Sequence, residues 1–217
     1  QTIARLSNPA VHGVELTNDN GQLSAWILNE AQYQVRGDVE TGTADAPFRF
    51  VDAQDSGPAT SRFLPPLIEL ELDGKLTRGE YKVIEGPSAG DENRVSAAVQ
   101  WTDNQTGIEV VKRYTLDGDG HTIDVELALR NTGSRSVKYD VEAIMRGLQN
   151  DEDSGGSMFM PPIHLYEVVC RRGEDFERLP GTEIQENLED GESNQFEDNI
   201  QWGGVDNRYF ITALYAE

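Results

Sequence analysis

The sequence predicts an all-β fold of antiparallel strands packed as a sandwich, and three observations predict it. Short runs of alternating apolar and polar residues recur along the 217 residues, and period-two alternation marks strands with one dry and one wetted face. Clusters of Gly, Asn, Asp, Ser and Pro separate those runs at short intervals, as in sandwiches. The hydrophobic fraction of 37% is low but compatible with a sandwich core at this length, which argues against disorder throughout.

Each element follows in order. An N-terminal hairpin runs from Val14 to Leu28 and turns at Asn18-Asp-Asn-Gly21, where Asn and Gly tolerate the positive φ of a tight turn. Leu16, Leu23, Trp26 and Leu28 would cap the core. Residues 41–62 are rich in Gly, Pro, Asp, Ser and Ala and read as a long surface connection with one short strand, Phe48 to Val51. Ile68, Leu70 and Leu72 alternate with acidic residues and form the next strand. Four further runs are expected to pair as an antiparallel meander. They are Val95 to Trp101; Ile108 to Leu116, closed by Asp117-Gly-Asp-Gly120; Ile123, Val125, Leu127 and Leu129; and, after the turn Asn131-Thr-Gly-Ser134, Val137 to Met145. Residues 150–157 read as a solvent loop and 183–197 as a short helix or a mobile acidic stretch. Helix content is expected to be small. Neither a repeat nor a linker divides the chain, so one β-sandwich domain over 1–217 is expected.

Charge and cysteine usage narrow the function. The 18 basic against 39 acidic residues give a net charge of −21, which repels nucleic-acid phosphates and anionic lipid surfaces. No nucleic-acid partner is expected, and the acidity reads as solubility or adaptation to a salty habitat. The single cysteine, Cys170, rules out an internal disulfide framework. It follows the apolar run Tyr166 to Val169 and is read as core. With no Cys or His at ligand spacing, neither a zinc site nor a thiol nucleophile is supported. Asp117-Gly-Asp-Gly120 opens like a calcium loop, but Thr122 and Ala128 stand where an EF-hand needs Gly and Glu. Asp151-Glu-Asp153 reads as a solvated face. No Ser-His-Asp, Walker or dinucleotide fingerprint occurs, so no catalytic residue, metal or cofactor is nominated. No run approaches the ~20 apolar residues that cross a bilayer, and no signal sequence opens the chain. The chain as it stands is expected to be soluble, with any membrane attachment supplied by segments outside it.

The last seventeen residues are the most informative. Trp202-Gly-Gly204 reads as a turn that leads through Val-Asp-Asn-Arg into Tyr209, Phe210, Ile211, Ala213 and Leu214, an aromatic and β-branched strand. A strand this apolar has to be paired or covered, so the polypeptide is expected to continue past Glu217. The pattern W-G-G/A-V-x-N/D-x-Y-F-x-x-A-L resembles the extracytoplasmic domain of YidC-type membrane protein insertases. Two further stretches agree with it in order. Val14 to Leu28 is similar to the opening hairpin of that family. Val111-Lys-Arg-Tyr-Thr-Leu116, continuing to Asn131-Thr-Gly133, is similar to its K-x-Y core, with His121 where the family has an aromatic residue.

The resemblance implies an antiparallel β-supersandwich, similar to galactose mutarotase, that is non-catalytic and stands on the periplasmic side of the bacterial inner membrane. Insertion in that family belongs to a membrane core that this chain lacks. The implied partners are the Sec translocon with its SecDF accessory proteins, and nascent membrane proteins; a hydrophobic or aromatic patch on the sandwich would be the contact surface. Trp202, Gly203, Asn207, Tyr209 and Phe210 carry the family signature, in a structural role. A rival from another class is an aldose 1-epimerase or a sugar-binding module, since the supersandwich serves these too. Epimerisation needs a carboxylate base and an acid such as histidine. Of His12, His121 and His164, the last, after Pro161-Pro162, is the best placed in sequence.

Overall fold

A computed structural model of the chain describes residues 1–28, 48–52, 60–90, 93–118, 120–147, 166–196, 199–206 and 210–215. Its strands, in chain order, are β1 (Thr2–Leu6), β2 (Val11–Thr17), β3 (Leu23–Leu28), β4 (Arg49–Asp52), β5 (Thr60–Leu72), β6 (Lys75–Thr77), β7 (Lys82–Ala89) and β8 (Val95–Asp103). There follow β9 (Ile108–Leu116), β10 (Ile123–Asn131), β11 (Tyr139–Gly147), β12 (Glu167–Arg172), β13 (Asp175–Pro180), the helix α1 (Gly181–Asp190), β14 (Ile200–Asp206) and β15 (Ile211–Tyr215). The fold is all-β, as expected, with short α1 the single α-helix among the described residues. Two compact units organise it: Gln1–Ser61 with Pro65–Ile144, and Arg62–Leu64 with Met145–Glu217.

The first unit is a sandwich of two sheets. One has the order β1-β2-β3-β4-β5-β11 with β6 on β5, and the other the order β10-β9-β8-β7. Their inner rows interdigitate. Leu6, Val14, Leu16, Leu23, Leu70 and Leu72 from the first sheet share one core with Ala97, Val99, Val110, Tyr114 and Leu116 from the second. β9 is the clearest case of period two, its buried positions being Ile108, Val110, Lys112, Tyr114 and Leu116. The tight turn expected at residues 18–21 is present, with Asn20 at φ 54° and Gly21 at φ 55°.

The expected four-stranded meander is corrected at its last member. β8, β9 and β10 pair antiparallel in register, but the fourth strand of that sheet is β7, and β11 pairs with β5 in the other sheet. Hydrogen bonds explain the crossover. Thr132 donates its N–H to Gly107 O at 2.9 Å, and the Thr132 hydroxyl donates to the same oxygen at 2.7 Å, which folds the chain back onto the β8–β9 hairpin. Asp73, in the β5–β6 turn, then captures the chain: its N–H donates to Lys138 O at 2.9 Å, its carboxylate accepts the Lys138 N–H at 3.0 Å, and Arg135 Nη1 donates to it at 2.5 Å.

The second unit holds a sheet of order β13-β12-β14-β15. Val169, Cys170, Leu179 and Val205 are buried in it, so Cys170 is core; burial pushes its thiol up, which suits an inert residue. The Phe63 ring stands edge-on to Tyr166 at 5.4 Å. Of the two readings of residues 183–197, the short helix is the one observed, as α1, closed by Gly191 at φ 73° in the left-handed conformation that ends helices. Trp202-Gly-Gly204, expected as a turn, lies inside β14 instead. Gly203 and Gly204 are register partners of Cys170 and Val169 on one side and of Leu214 and Ala213 on the other, so strand pairing on both edges holds them extended. The solvent loop expected at 150–157 lies outside the described residues.

Candidate functional site

The signature residues fall in the second unit. Trp202 and Gly203 lie on β14 and Phe210 directly precedes β15, while Asn207 and Tyr209 are outside the described residues. Register fixes what surrounds Trp202. Arg171 is opposite both Phe176 and Trp202, and Trp202 is opposite Tyr215. Directly paired residues of antiparallel strands project to one face, so Phe176, Arg171, Trp202 and Tyr215 form a row across four strands. Alternation puts Arg178, Val169, Gly204 and Ala213 in the next row, and Glu167, Asp206 and Ile211 beyond it.

The chemistry of this face is aromatic and charge-balanced. The Phe176 and Trp202 rings meet at 5.6 Å, and the Arg178 guanidinium lies 4.9 Å over the Phe176 ring. Arg178 Nη1 also reaches Glu167 at 2.5 Å and Asp206 at 2.9 Å. Since Asp206 is two strands away, the Arg178 side chain crosses β12, and Val169 beneath it is fully buried. Phe176, Ile211 and Tyr215 remain 48%, 46% and 57% exposed. Two arginines and two carboxylates leave the face neutral within a chain of net charge −21.

The K-x-Y stretch builds a second constellation, in the first unit. Lys112 and Tyr114 are two apart on β9 and both point into the core. Lys112 Nζ donates to Asn20 O at 2.7 Å and to Ile68 O at 3.4 Å and lies 5.0 Å from the Tyr81 ring centroid. The Tyr114 hydroxyl donates to Gly21 O at 2.7 Å. Both therefore satisfy carbonyls of the hairpin turn, whose Asn20 N–H in turn donates to Gly79 O at 2.9 Å. Burial lowers the Lys112 ammonium to about 8 and raises the phenols of Tyr81 and Tyr114 above their ordinary range. Sequence reasoning used Lys112 only as part of a pattern. Its position in the buried phase of β9, level with Val110 and Tyr114, was the available signal that it is a core lysine.

Among the described residues, no histidine stands in a site. His12 is exposed on β2 and His121 exposed two residues before β10, and His164 lies outside the described residues. In the Asp117-Gly-Asp-Gly120 stretch, Asn8 Nδ2 donates to Asp117 O at 2.5 Å and Gly120 O at 3.0 Å. Those two carbonyls are thereby engaged by an amide. Among the described residues no group of three or more His, Cys, Asp or Glu could hold a metal ion, and no helix is long and apolar enough to cross a membrane.

Comparison with known proteins agrees with the signature. A membrane protein insertase YidC of Alkalilimnicola ehrlichii is 25% identical over 192 residues, covering 80% of this chain and 30% of that protein. The YidC insertases of Anaeromyxobacter dehalogenans and Nitrosomonas europaea are 33% and 26% identical over 92 and 107 residues, covering 42% and 49% of this chain and 15% and 17% of theirs. The chain thus spans less than a third of the length of these relatives. The family model described as the YidC periplasmic domain matches residues 39–217, most of the chain and parts of both compact units. That description sets the compartment, the periplasmic side of the bacterial inner membrane, and the chain belongs to the YidC periplasmic domain family.

Proposed function

We propose that this chain is the non-catalytic periplasmic module of a membrane protein insertase, assisting insertion and folding of inner-membrane proteins by contacts with Sec accessory proteins or with nascent segments. The family match over residues 39–217 carries this reading, and because it runs through both compact units it supports treating 1–217 as one periplasmic domain. The exposed face of the β13-β12-β14-β15 sheet supplies the contact surface. Aromatic residues and arginine are the types that dominate binding hot spots, and charge is depleted at interface centres. Phe176, Ile211 and Tyr215 are the contacting side chains in this reading. Trp202, packed against Phe176, and Gly203 shape the sheet rather than touch the partner.

The test uses the full-length insertase that carries this domain, with a photo-crosslinking amino acid at position 176, 211 or 215 and, as a control, at exposed Lys82 on β7. Adducts to SecDF subunits or to nascent membrane proteins at the three positions, above the control, are expected. Equal labelling at all four would reject this face as the contact surface.

A further inference from the structure

Among the described residues Lys112 is a buried cation with no counter-ion. Its side chain is 1% exposed, and its partners among the described residues are two carbonyls and a ring face. The carboxylates on the elements around it are engaged elsewhere or turned to solvent. Glu80 accepts from Asn18, Glu69 pairs with Arg78, Glu126 on β10 lies near Arg113, Asp103 on β8 accepts from Thr106, and Glu71 on β5 is exposed. Asp19 in the turn, Glu109 and Arg113 on β9, Glu15 on β2, Lys82 and Glu85 on β7, and Asp124 and Arg130 on β10 are further charged groups on these elements, and no charged group contributes to the Lys112 shift, which burial alone causes. Tyr81 and Tyr114 are the titratable groups that share its pocket.

The placement of Lys112 is what gives this consequence. It stands on β9 of the four-stranded sheet, while Asn20 and Ile68 belong to the β2–β3 turn and β5 of the seven-stranded one. Its amino group therefore spans the sandwich. We propose that Lys112 is a proton-gated strut between the two sheets of the first unit, so that the sandwich tightens as its surroundings pass from neutral to mildly alkaline. A neutral amine keeps two N–H donors, enough for the two carbonyls. Releasing the third proton removes the desolvation penalty of an unpaired charge without breaking either bond.

The sign follows from linkage. With the folded ammonium at about 8 and an unfolded lysine near ~10.4, the unfolded chain holds a proton that the folded one has released, so stability rises with pH between those values. The two phenols act in the opposite sense above about pH 10, where unfolded tyrosines ionise, and the Cys170 thiol, which burial also pushes up, does so from about pH 8.5, in wild type and in Lys112→Met alike.

Urea unfolding of the chain and of Lys112→Met at about pH 7 and pH 9 tests this: the ratio of the wild-type unfolding constant to that of the variant should fall about tenfold over that step. Should Lys112→Met not fold, ε-13C-lysine NMR of the wild type decides. The chain has four lysines, and Lys75, Lys82 and Lys138 are exposed. One lysine signal, missing from Lys112→Arg, should titrate near 8, and the other three above about 10. Four lysines titrating together, or a wild-type pH response kept in Lys112→Met, overturns the proposal.

Discussion

At the residue scale, the two glycines after Trp202 are unequal. A Cβ on Gly204 would come within 2.2 Å of Thr212 O and 2.9 Å of Ala213 Cα, both backbone atoms of β15, whereas a Cβ on Gly203 would meet nothing nearer than 3.8 Å. Gly204→Ala must push β15 away from β14 and is expected to cost about 1–3 kcal/mol, against under about 0.5 kcal/mol for Gly203→Ala. Urea denaturation of the two variants measures both, and equal losses would refute the close approach at Gly204. The sequence marks the pair but not which member is constrained, because the answer depends on a strand that pairs only after the chain has turned. Lys112 shows the opposite case. Its phase on β9 was readable, since period two assigns it to the row of Val110 and Tyr114; its acceptors, Asn20 and Ile68, are 92 and 44 residues away in sequence and were not.

At the element scale, strands whose partners are sequence neighbours were legible, and those that cross sheets were not. β8, β9 and β10 were predicted within two residues at each end because strict alternation and Gly-rich turns define each hairpin locally. β11 also alternates, but a run of alternating residues states which face is apolar and says nothing about which edge it joins. The deciding contacts come from Asp73, 65 residues before Lys138, in a turn that carries no pattern of its own pointing to so distant a partner. The family signature was legible as a motif and misread as a turn, since Trp-Gly-Gly contains two turn-forming residues that pairing on both sides holds extended. Asp73 makes the crossover testable. The Arg135 guanidinium and the Lys138 N–H hold its carboxyl below the usual range. A depressed carboxylate contributes stability above its unfolded pKa and loses it as pH falls through the folded one. Asp73→Asn should therefore lower the urea midpoint near pH 6, and the gap to wild type should narrow as the pH falls below about 4. A gap that stays constant into acid would show that the crossover does not depend on the charge of Asp73.

At the scale of the whole molecule, electrostatics is dominated by repulsion among the 39 acidic residues, of which 18 basic residues offset fewer than half. The ion pairs of Arg78, Arg94, Arg113, Arg135, Arg172 and Arg178 lie at the surface, where each contributes roughly 0–1 kcal/mol and is screened by salt. Salt weakens these attractions and the surplus repulsion together. With a net charge of −21, the relief of repulsion outweighs the loss of attraction, because a compact chain holds its like charges closer than the unfolded one does. Raising sodium chloride from about 0.02 M to 0.5 M, which shortens the screening length severalfold, should stabilise the chain by on the order of 1–2 kcal/mol. For a chain of this size that raises Tm by roughly 2–8 °C. Chloride is the anion to use, since sulfate would also strengthen apolar burial and confuse the cause. Thermal melts followed by far-UV circular dichroism across the salt series read the effect. A flat or falling Tm would mean that the arginine pairs outweigh the acidic surplus, and that the acidity of this domain is not held against its own stability.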